Sequence, residues 1–459
     1  MRGLLTNYLD APVLYRPVRN SEIYVSASQR KPGKLLSILE YLFVVLLLLS
    51  SMNVITALSP FSKERAESRS FSADLDTSSV VFEAGLYAYG GMLACTRWRR
   101  VLRAARSVWP LLALPFFACI STAWSVQPAV TLRRSVLLMA ATWMAIYVGE
   151  RFSIEAFARL LARTMCLMVL AVLVLYLVAP EFVIDRSAYG GAWKGLSAYK
   201  NTFGEHMAVA VLLLVLIRFR RLRWSRYAFL PIAAGLLFLS RSATAILCGA
   251  LGLVAIPMWR LVRGRRQLLV FLPLLLAFAA GAYLILASPE FIFQLLGRDA
   301  TLTGRTRLWD ILMPVIANRP FLGYGYEAFW AGIKPEVVSV WIEAGRLVPV
   351  ADNGYLDLCL GLGIVGVSLF LFVFIGAFRK AIDYARSEPG SIGVWPVTYL
   401  CIFAADNICE SALLTRGTFP FLVFAILATS LSLAYVKSTT AARAAADQRF
   451  MQELNSPAV

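Results

Sequence analysis

The sequence predicts an all-α polytopic membrane protein of about twelve transmembrane helices, with a large extracytoplasmic loop between the ninth and tenth. Three observations predict it. The 459 residues are 59% hydrophobic, with a mean hydropathy of +0.68, whereas soluble domains stay near half apolar. Apolar runs long enough to cross a hydrocarbon core of about 30 Å recur along almost the whole chain. The basic residues, finally, cluster in short links between those runs. A net charge of +18 would suit nucleic acid, but the chain has no DNA- or RNA-binding signature and no basic face on a soluble fold. Charged links of this kind instead orient membrane helices.

In chain order, a basic lead over 1–35 is followed by a first apolar run, beginning near Leu35, long enough to be a signal-anchor helix. The expected spans are 36–58, 78–95, 108–124, 133–149, 157–179, 203–217, 227–240, 242–258, 267–287, 352–378, 393–412 and 418–436. This divides the chain into an N-terminal segment (1–35), helices one to nine (36–287), a loop (288–351), helices ten to twelve (352–436) and a tail (437–459). An even number of spans puts both termini on one side. One alternate set of segments, with both ends, holds 29 of the 45 Lys and Arg residues, in stretches such as TRWRRVLRAAR and RFRRLRWSR. Lys and Arg are retained in the cytoplasm, so both termini are expected there and the 288–351 loop outside.

Loops of that length tend to be functional. Within it, TGRTRLWDILMPVIANRPFLGYG has Thr303 or Thr306 as a helix cap and an apolar stripe of Leu308, Trp309, Ile311, Leu312, Val315 and Ile316. Pro320, Gly323 and Gly325 end it. The expectation is a short amphipathic helix on or dipping into the outer leaflet, with Trp309 at headgroup level.

Outward cations are the candidate site residues, because they run against the charge bias. Arg305 and Arg307 begin the loop helix, where free N–H groups and guanidinium forks suit phosphate; holding lipid headgroups is the plainer alternative. Arg241 is pinned in a turn of about three residues at the membrane face, where an ionisable group is a functional candidate or a snorkelling one. Arg133 and Arg134 begin another span, and Lys194 and Lys200, with Asn201, precede the sixth. Four outward loops thus each place a cation at one membrane level, which fits an anion whose tail lies in lipid. In VADNGYLDL, Asp352 is either an N-cap or a chemical group. His206 is the only histidine; a lone histidine at a helix end is more often structural. No HExxH, P-loop or GxSxG motif is present. The seven cysteines have no CxxC spacing and read as small core residues.

SRSA, TGRTRLWDILMPVIANRPFLGYGYEAF and DNGYLDLCLGLGIVGVSLFLF, in that order around a long outward loop, resemble the O-antigen ligase/polymerase superfamily. AWSVQPAVTLRRS and GAWKGLSAYKNTFG look most like its exopolysaccharide-polymerase (ExoQ-like) branch. The resemblance covers roughly residues 110 to 436. It implies a bacterial inner-membrane glycosyltransferase of the multi-span C type, which takes glycan from a polyprenyl pyrophosphate on the periplasmic face and passes it to a hydroxyl acceptor. In that family Arg241 matches the arginine of a Ser-Arg motif and Arg305 that of a Gly-Arg motif, both taken to bind pyrophosphate. Related ligases carry histidine where this chain has Asp352, so the ligase reading weakens and the polymerase reading stands.

Fixed guanidinium groups stabilise a departing pyrophosphate without a metal or other cofactor, and a base near the acceptor hydroxyl gives inversion. The catalytic set is therefore Asp352, Arg305 and Arg241. Arg133, Lys200, Asn201, Arg307, Trp309, Asn353 and Tyr355 form the substrate-binding set. Expected partners are the lipid-linked donor, a glycan or lipid-linked acceptor, membrane lipids and a chain-length regulator, with no nucleic acid. A ligase acting on lipid A–core is the alternative within the same chemistry. A flippase of lipid-linked sugar is the alternative from another class, though transporters usually show repeat symmetry.

Overall fold

Apolar stretches with few helix breakers fold as helices throughout the computed structural model, which describes residues 34–54, 77–185, 191–217, 225–261, 303–388 and 390–455. The helices are α1 (Lys34–Ser51), α2 (Thr77–Cys95), α3 (Trp98–Ser107), α4 (Trp109–Ile120), α5 (Pro128–Arg151), α6 (Ile154–Val178) and the single turn α7 (Pro180–Val183). They continue as α8 (Lys200–Leu216), α9 (Ser225–Leu239), α10 (Ala243–Leu261), α11 (Thr303–Asn318), α12 (Pro335–Ala344), α13 (Gly354–Ser387), α14 (Trp395–Asp406) and α15 (Phe419–Asn455). Two short antiparallel strands, β1 (Ile184–Asp185) and β2 (Ala192–Trp193), pair ahead of α8.

A helix stands at every expected span except the ninth, 267–287, which lies outside the described residues together with 288–302. Length and apolarity qualify four described helices to cross a membrane alone: α5, α6, α13 and the 419–448 part of α15. α3 and α4 qualify as a fifth only as a pair bent by 87°. The chain is a polytopic membrane protein on this evidence, and α4 and α14 are shorter than the spans the sequence suggested. The expected span 393–412 shows why. Its helix stops at Asp406, and the polar run from Asn407 to Thr418 is a loop that carries Glu410 and Arg416. The expected link 96–107 is instead the helix α3, which buries Val101, Ala104 and Ala105 and turns its arginines outward.

The main core is built where α15 packs on α5 and α13, and where α8 packs on α9 and α10. It includes Tyr147, Phe203, Phe370, Trp395 and Phe424, each at most 1% exposed. α13 is broken inside this core. Gly363 adopts φ 62° and ψ −168°, a conformation closed to residues with a Cβ, and a Cβ there would run into the Phe321 carbonyl. The backbone groups freed by the break would be costly in an apolar setting. The 320–325 segment satisfies them: the Tyr324 and Gly325 N–H groups donate to the Leu360 and Gly361 carbonyls (2.7 and 2.9 Å), and Ile364 N–H donates to Pro320 O (2.9 Å). The loop is thereby stitched into a spanning helix.

The loop also has a core of its own, formed by Leu308, Ile311, Leu312, Tyr324, Phe329, Val337, Val340 and Val348. Leu308 and Leu312, from the predicted stripe, are 1% and 0% exposed. The stripe of α11 thus faces protein, and Trp309 donates its indole N–H to Ala351 O at 2.9 Å. Leu308 and Leu312 are covered by the rest of the loop, while Val315 and Ile316 are only half-buried. A 3.6-residue period identifies an apolar face but not what covers it.

At the far end of the bundle, some 25 Å along α5 from Arg134 by helical rise, Glu40 is fully buried. It is paired with Arg97 (3.2 Å) and Arg151 (2.6 Å) and accepts a hydrogen bond from Tyr147 Oη (3.2 Å). Arg97 also reaches Glu150 at 3.8 Å.

Candidate active site

The start of α13 is held from three sides. Asn353, in extended backbone, is its N-cap: the side-chain oxygen accepts the N–H groups of Tyr355 (3.0 Å) and Leu356 (3.1 Å), as capping requires. Asn353 N–H donates to Ser411 Oγ (3.1 Å) and Gly354 N–H to Asn407 O (2.9 Å). Two residues before Asn353, Ala351 N–H donates to the Asp357 carboxylate (3.0 and 3.2 Å), which also accepts Trp330 Nε1–H (2.7 Å). Asp352 sits between these anchors with φ +51°, in the left-handed region that non-glycine residues seldom occupy. Its carboxylate is not the cap. It is 26% exposed and turned to Arg305.

Arg305, in the first turn of α11, lies between two carboxylates contributed by distant parts of the chain. Nε is 3.7 Å from Asp352 Oδ2, and Nη2 is 3.1 Å from Glu410 Oε1. Asn201, in the first turn of α8, donates its amide to the same Glu410 oxygen at 2.8 Å. Glu410 is fixed from behind by its own N–H, donated to Asp406 O (2.9 Å). Burial pushes the Glu410 carboxyl above the usual carboxylate range; Arg305 pulls it back and the Asp352 charge adds to the rise. One guanidinium thus faces two carboxylates in a half-open setting, where charge–charge interactions exceed their strength in water.

Arg241 sits on a turn that packs against the start of α8. Its φ is +51° and its side chain is exposed. The turn packs on Gly204, one helical turn beyond Lys200 and Asn201, where a Cβ would lie 2.8 Å from Ser240 Oγ. Thr244, just after the turn, hydrogen-bonds Cys409, the neighbour of Glu410.

A second charged cluster stands on the same loop. Glu327, also at positive φ (+49°), is paired with Arg416 (3.3 Å) and Arg134 (3.7 Å). It accepts a hydrogen bond from Tyr326 Oη (3.2 Å), and its main-chain carbonyl accepts Arg134 Nη1–H at 2.6 Å. Arg133, the predicted binding residue, is exposed beside it.

The structure therefore gathers Arg305, Asp352, Asn201 and Asn353, with Trp309 pinning the backbone at Ala351 and Lys200 next to Asn201. Arg307 is separate, exposed and bonded to Glu343 O (2.9 Å). Tyr355 points inward and donates its hydroxyl to Ala404 O (3.0 Å). His206 is fully buried, with Nδ1 3.2 Å from Ser197 Oγ and its ring edge-on to Phe419. Glu410, Arg416 and Glu327 escaped the sequence reading. Asp406 and Glu410 fell inside an expected span, and the rule that ionisable residues there mark function is the signal that could have found them.

Residues 228–371, which include Arg241, Arg305 and Asp352, match the family model described as O-antigen ligase. The chain is 26% identical over 323 residues to the exopolysaccharide production protein ExoQ of Rhizobium meliloti (strain 1021), a match that covers 67% of this chain and 73% of that protein.

Proposed function

We propose, from the likeness to the O-antigen ligase family model and to ExoQ, that the chain polymerises polyprenyl-pyrophosphate-linked oligosaccharide repeat units into exopolysaccharide or O-antigen. In this reading it acts in the bacterial inner membrane, with the 303–351 loop on the periplasmic side, both termini in the cytoplasm and a chain-length regulator as partner. One observation carries the proposal: the Arg305 guanidinium held between Asp352 and Glu410.

The geometry supports a division of labour. Glu410, fixed by Asn201, holds Arg305 in place through the shorter contact. The 3.7 Å contact to Asp352 is loose enough for a donor pyrophosphate to replace. Donor binding then satisfies Arg305, with Arg241 beside it, and releases the Asp352 carboxylate for use as a base. An acceptor hydroxyl attacks the anomeric carbon and its proton passes to Asp352. The bond from that carbon to the pyrophosphate oxygen breaks, and the electron pair leaves on the pyrophosphate. Preoriented guanidinium groups stabilise that departing charge at no reorganisation cost, and displacement from the opposite face inverts the anomeric centre.

A deletion strain tests the reading. Loss of all polymer with single repeat units still assembled on the carrier supports polymerisation. Finished polymer accumulating on the carrier would instead indicate a ligase. Elongation by purified protein in detergent, without any gradient, would exclude transport.

A further inference from the structure

The stretch TRWRRVLRAARSVW, Thr96 to Trp109, carries five arginines and no carboxylate, and no step of the proposed transfer uses it. We propose that its helix, α3, is a binding site for anionic phospholipid headgroups. It lies along the membrane surface at the end away from the loop, the cytoplasmic end in the orientation proposed above. Trp98 and Leu102 sit at the acyl boundary, and Arg99, Arg103 and Arg106 hold lipid phosphates.

The next helix, α4, fixes where α3 lies. Its far end joins the loop: Ser121 Oγ accepts Tyr326 N–H (3.0 Å), and Trp124 donates its indole N–H to Leu322 O (2.9 Å). Its near end meets α3 at 87°. α4 exposes Trp109, Phe116 and Ile120, which spacings of seven and four residues place on one face. That face suits lipid, so α4 runs across the bilayer and α3 lies in its plane. With the 3₁₀ turn that follows it, α4 covers Trp109–Ala123, a rise of about 21 Å against a hydrocarbon core of about 30 Å. So short a span draws its flanks inward, which sets α3 at the headgroups instead of in open water. Arg97 anchors the start of α3 through Glu40 and Glu150, so the strap at Glu40 also holds this helix onto the bundle.

Three strips run along α3. Val101, Ala104 and Ala105 are buried against the protein. Trp98 and Leu102, one turn apart, are 56% and 38% exposed. Arg99, Arg103 and Arg106 make the third strip and are exposed. Among the described residues none of these three is ion-paired; Arg103 Nε donates to Arg99 O (3.3 Å), and the Arg99 guanidinium lies over the Trp98 ring at 5.3 Å. Like charges three and four residues apart repel, so the strip calls for a counterion that the protein does not supply. An acidic protein bound there would leave the apolar strip and Trp109 in water. A leaflet takes indoles at headgroup level and arginine forks on phosphate, and a protein-facing, an apolar and a basic side together are the design of an interfacial helix.

Thermal unfolding of the whole chain in phosphatidylcholine nanodiscs, with and without phosphatidylglycerol, tests the site. A ligand that binds only the folded state raises the melting temperature, so phosphatidylglycerol should raise that of the wild type. The triple variant Arg99→Gln, Arg103→Gln, Arg106→Gln should match the wild type in phosphatidylcholine alone and lose most of the phosphatidylglycerol increment, each arginine being worth roughly fivefold in affinity at a charged surface. The three side chains are exposed and glutamine is a good helix former, so folding is kept. No increment in the wild type, or a full one in the triple variant, would overturn the proposal. A triple variant already destabilised in phosphatidylcholine would mark a structural role and refute it too. Leu102→Asp should also lose the increment, since a carboxylate is expelled from the acyl boundary. An intact increment there would leave that flank in water and favour an acidic protein over the leaflet.

Discussion

Two regions of this molecule solve the problem of arginine in a membrane protein in different ways. At the end away from the loop, Glu40 is shut in and doubly paired. At the loop end, Arg305 is shared between two carboxylates that stay 22% and 26% exposed, beside a strained backbone at Asp352. Breaking a closed buried pair removes stability, because one partner is left charged and alone. On the proposed reading, breaking an open, overcommitted one removes chemistry, because its surplus interactions serve the substrate. The difference lies in stoichiometry, exposure and backbone strain, not in residue type.

The comparison is broken most readily at Arg305. Arg305→Ala should lower polymer formation by about 10²–10³-fold, the scale of losing a preorganised charge partner, with membrane insertion unchanged by fractionation. Arg305→Lys should be damaging too, since a fork becomes a point charge. Normal polymer from either variant would put the loop end in the same class as Glu40. Asp352→Asn is next: loss of a positioned base costs roughly 10²–10⁴-fold. Asparagine tolerates positive φ, and Asn353 does the capping, so a dead variant has no structural explanation.

Glu40→Gln should do the reverse. It removes the charge partner that two half-buried arginines share, costs about 3 kcal/mol, and lowers the melting temperature while turnover per folded molecule holds. A turnover loss without a stability loss would collapse the distinction between the two ends.

How far all this was legible in the sequence follows from what each signal measures. Hydropathy reports apolar length, so it located the helices, but it averaged Asp406, Glu410 and Arg416 into or beside a span because alanine, leucine and phenylalanine surround them. Charge bias singled out Arg305 and Arg241. It could not separate Arg133 from Arg134, since which of two neighbours faces inward depends on where the helix packs. Asp352 and Asn353 were interchangeable as caps on paper; the backbone, left-handed at one and extended at the other, distinguishes them. The pairing of Arg305 with Glu410 joins residues 105 positions apart, and no local pattern encodes it.

Smaller effects sharpen the account. The raised Glu410 carboxyl takes up a proton at a higher pH than an ordinary carboxylate, so activity that needs it ionised should fall off on the acid side sooner than a free carboxylate would dictate. Glu410→Gln should remove that limb from the pH profile of whatever activity remains; an unchanged profile would assign the limb elsewhere. Asn353→Ala should cost only about 1 kcal/mol of stability, the usual value of a cap, with little change in rate.

The most direct measurement is elongation of polyprenyl-pyrophosphate oligosaccharide by purified protein in detergent, wild type beside Asp352→Asn, with donor binding followed in the same samples. The account predicts a product ladder from the wild type, and from the variant retained donor with no ladder. A ladder of wild-type length and rate from Asp352→Asn would contradict it, leaving the carboxylate between Ala351 and Asn353 without a chemical role.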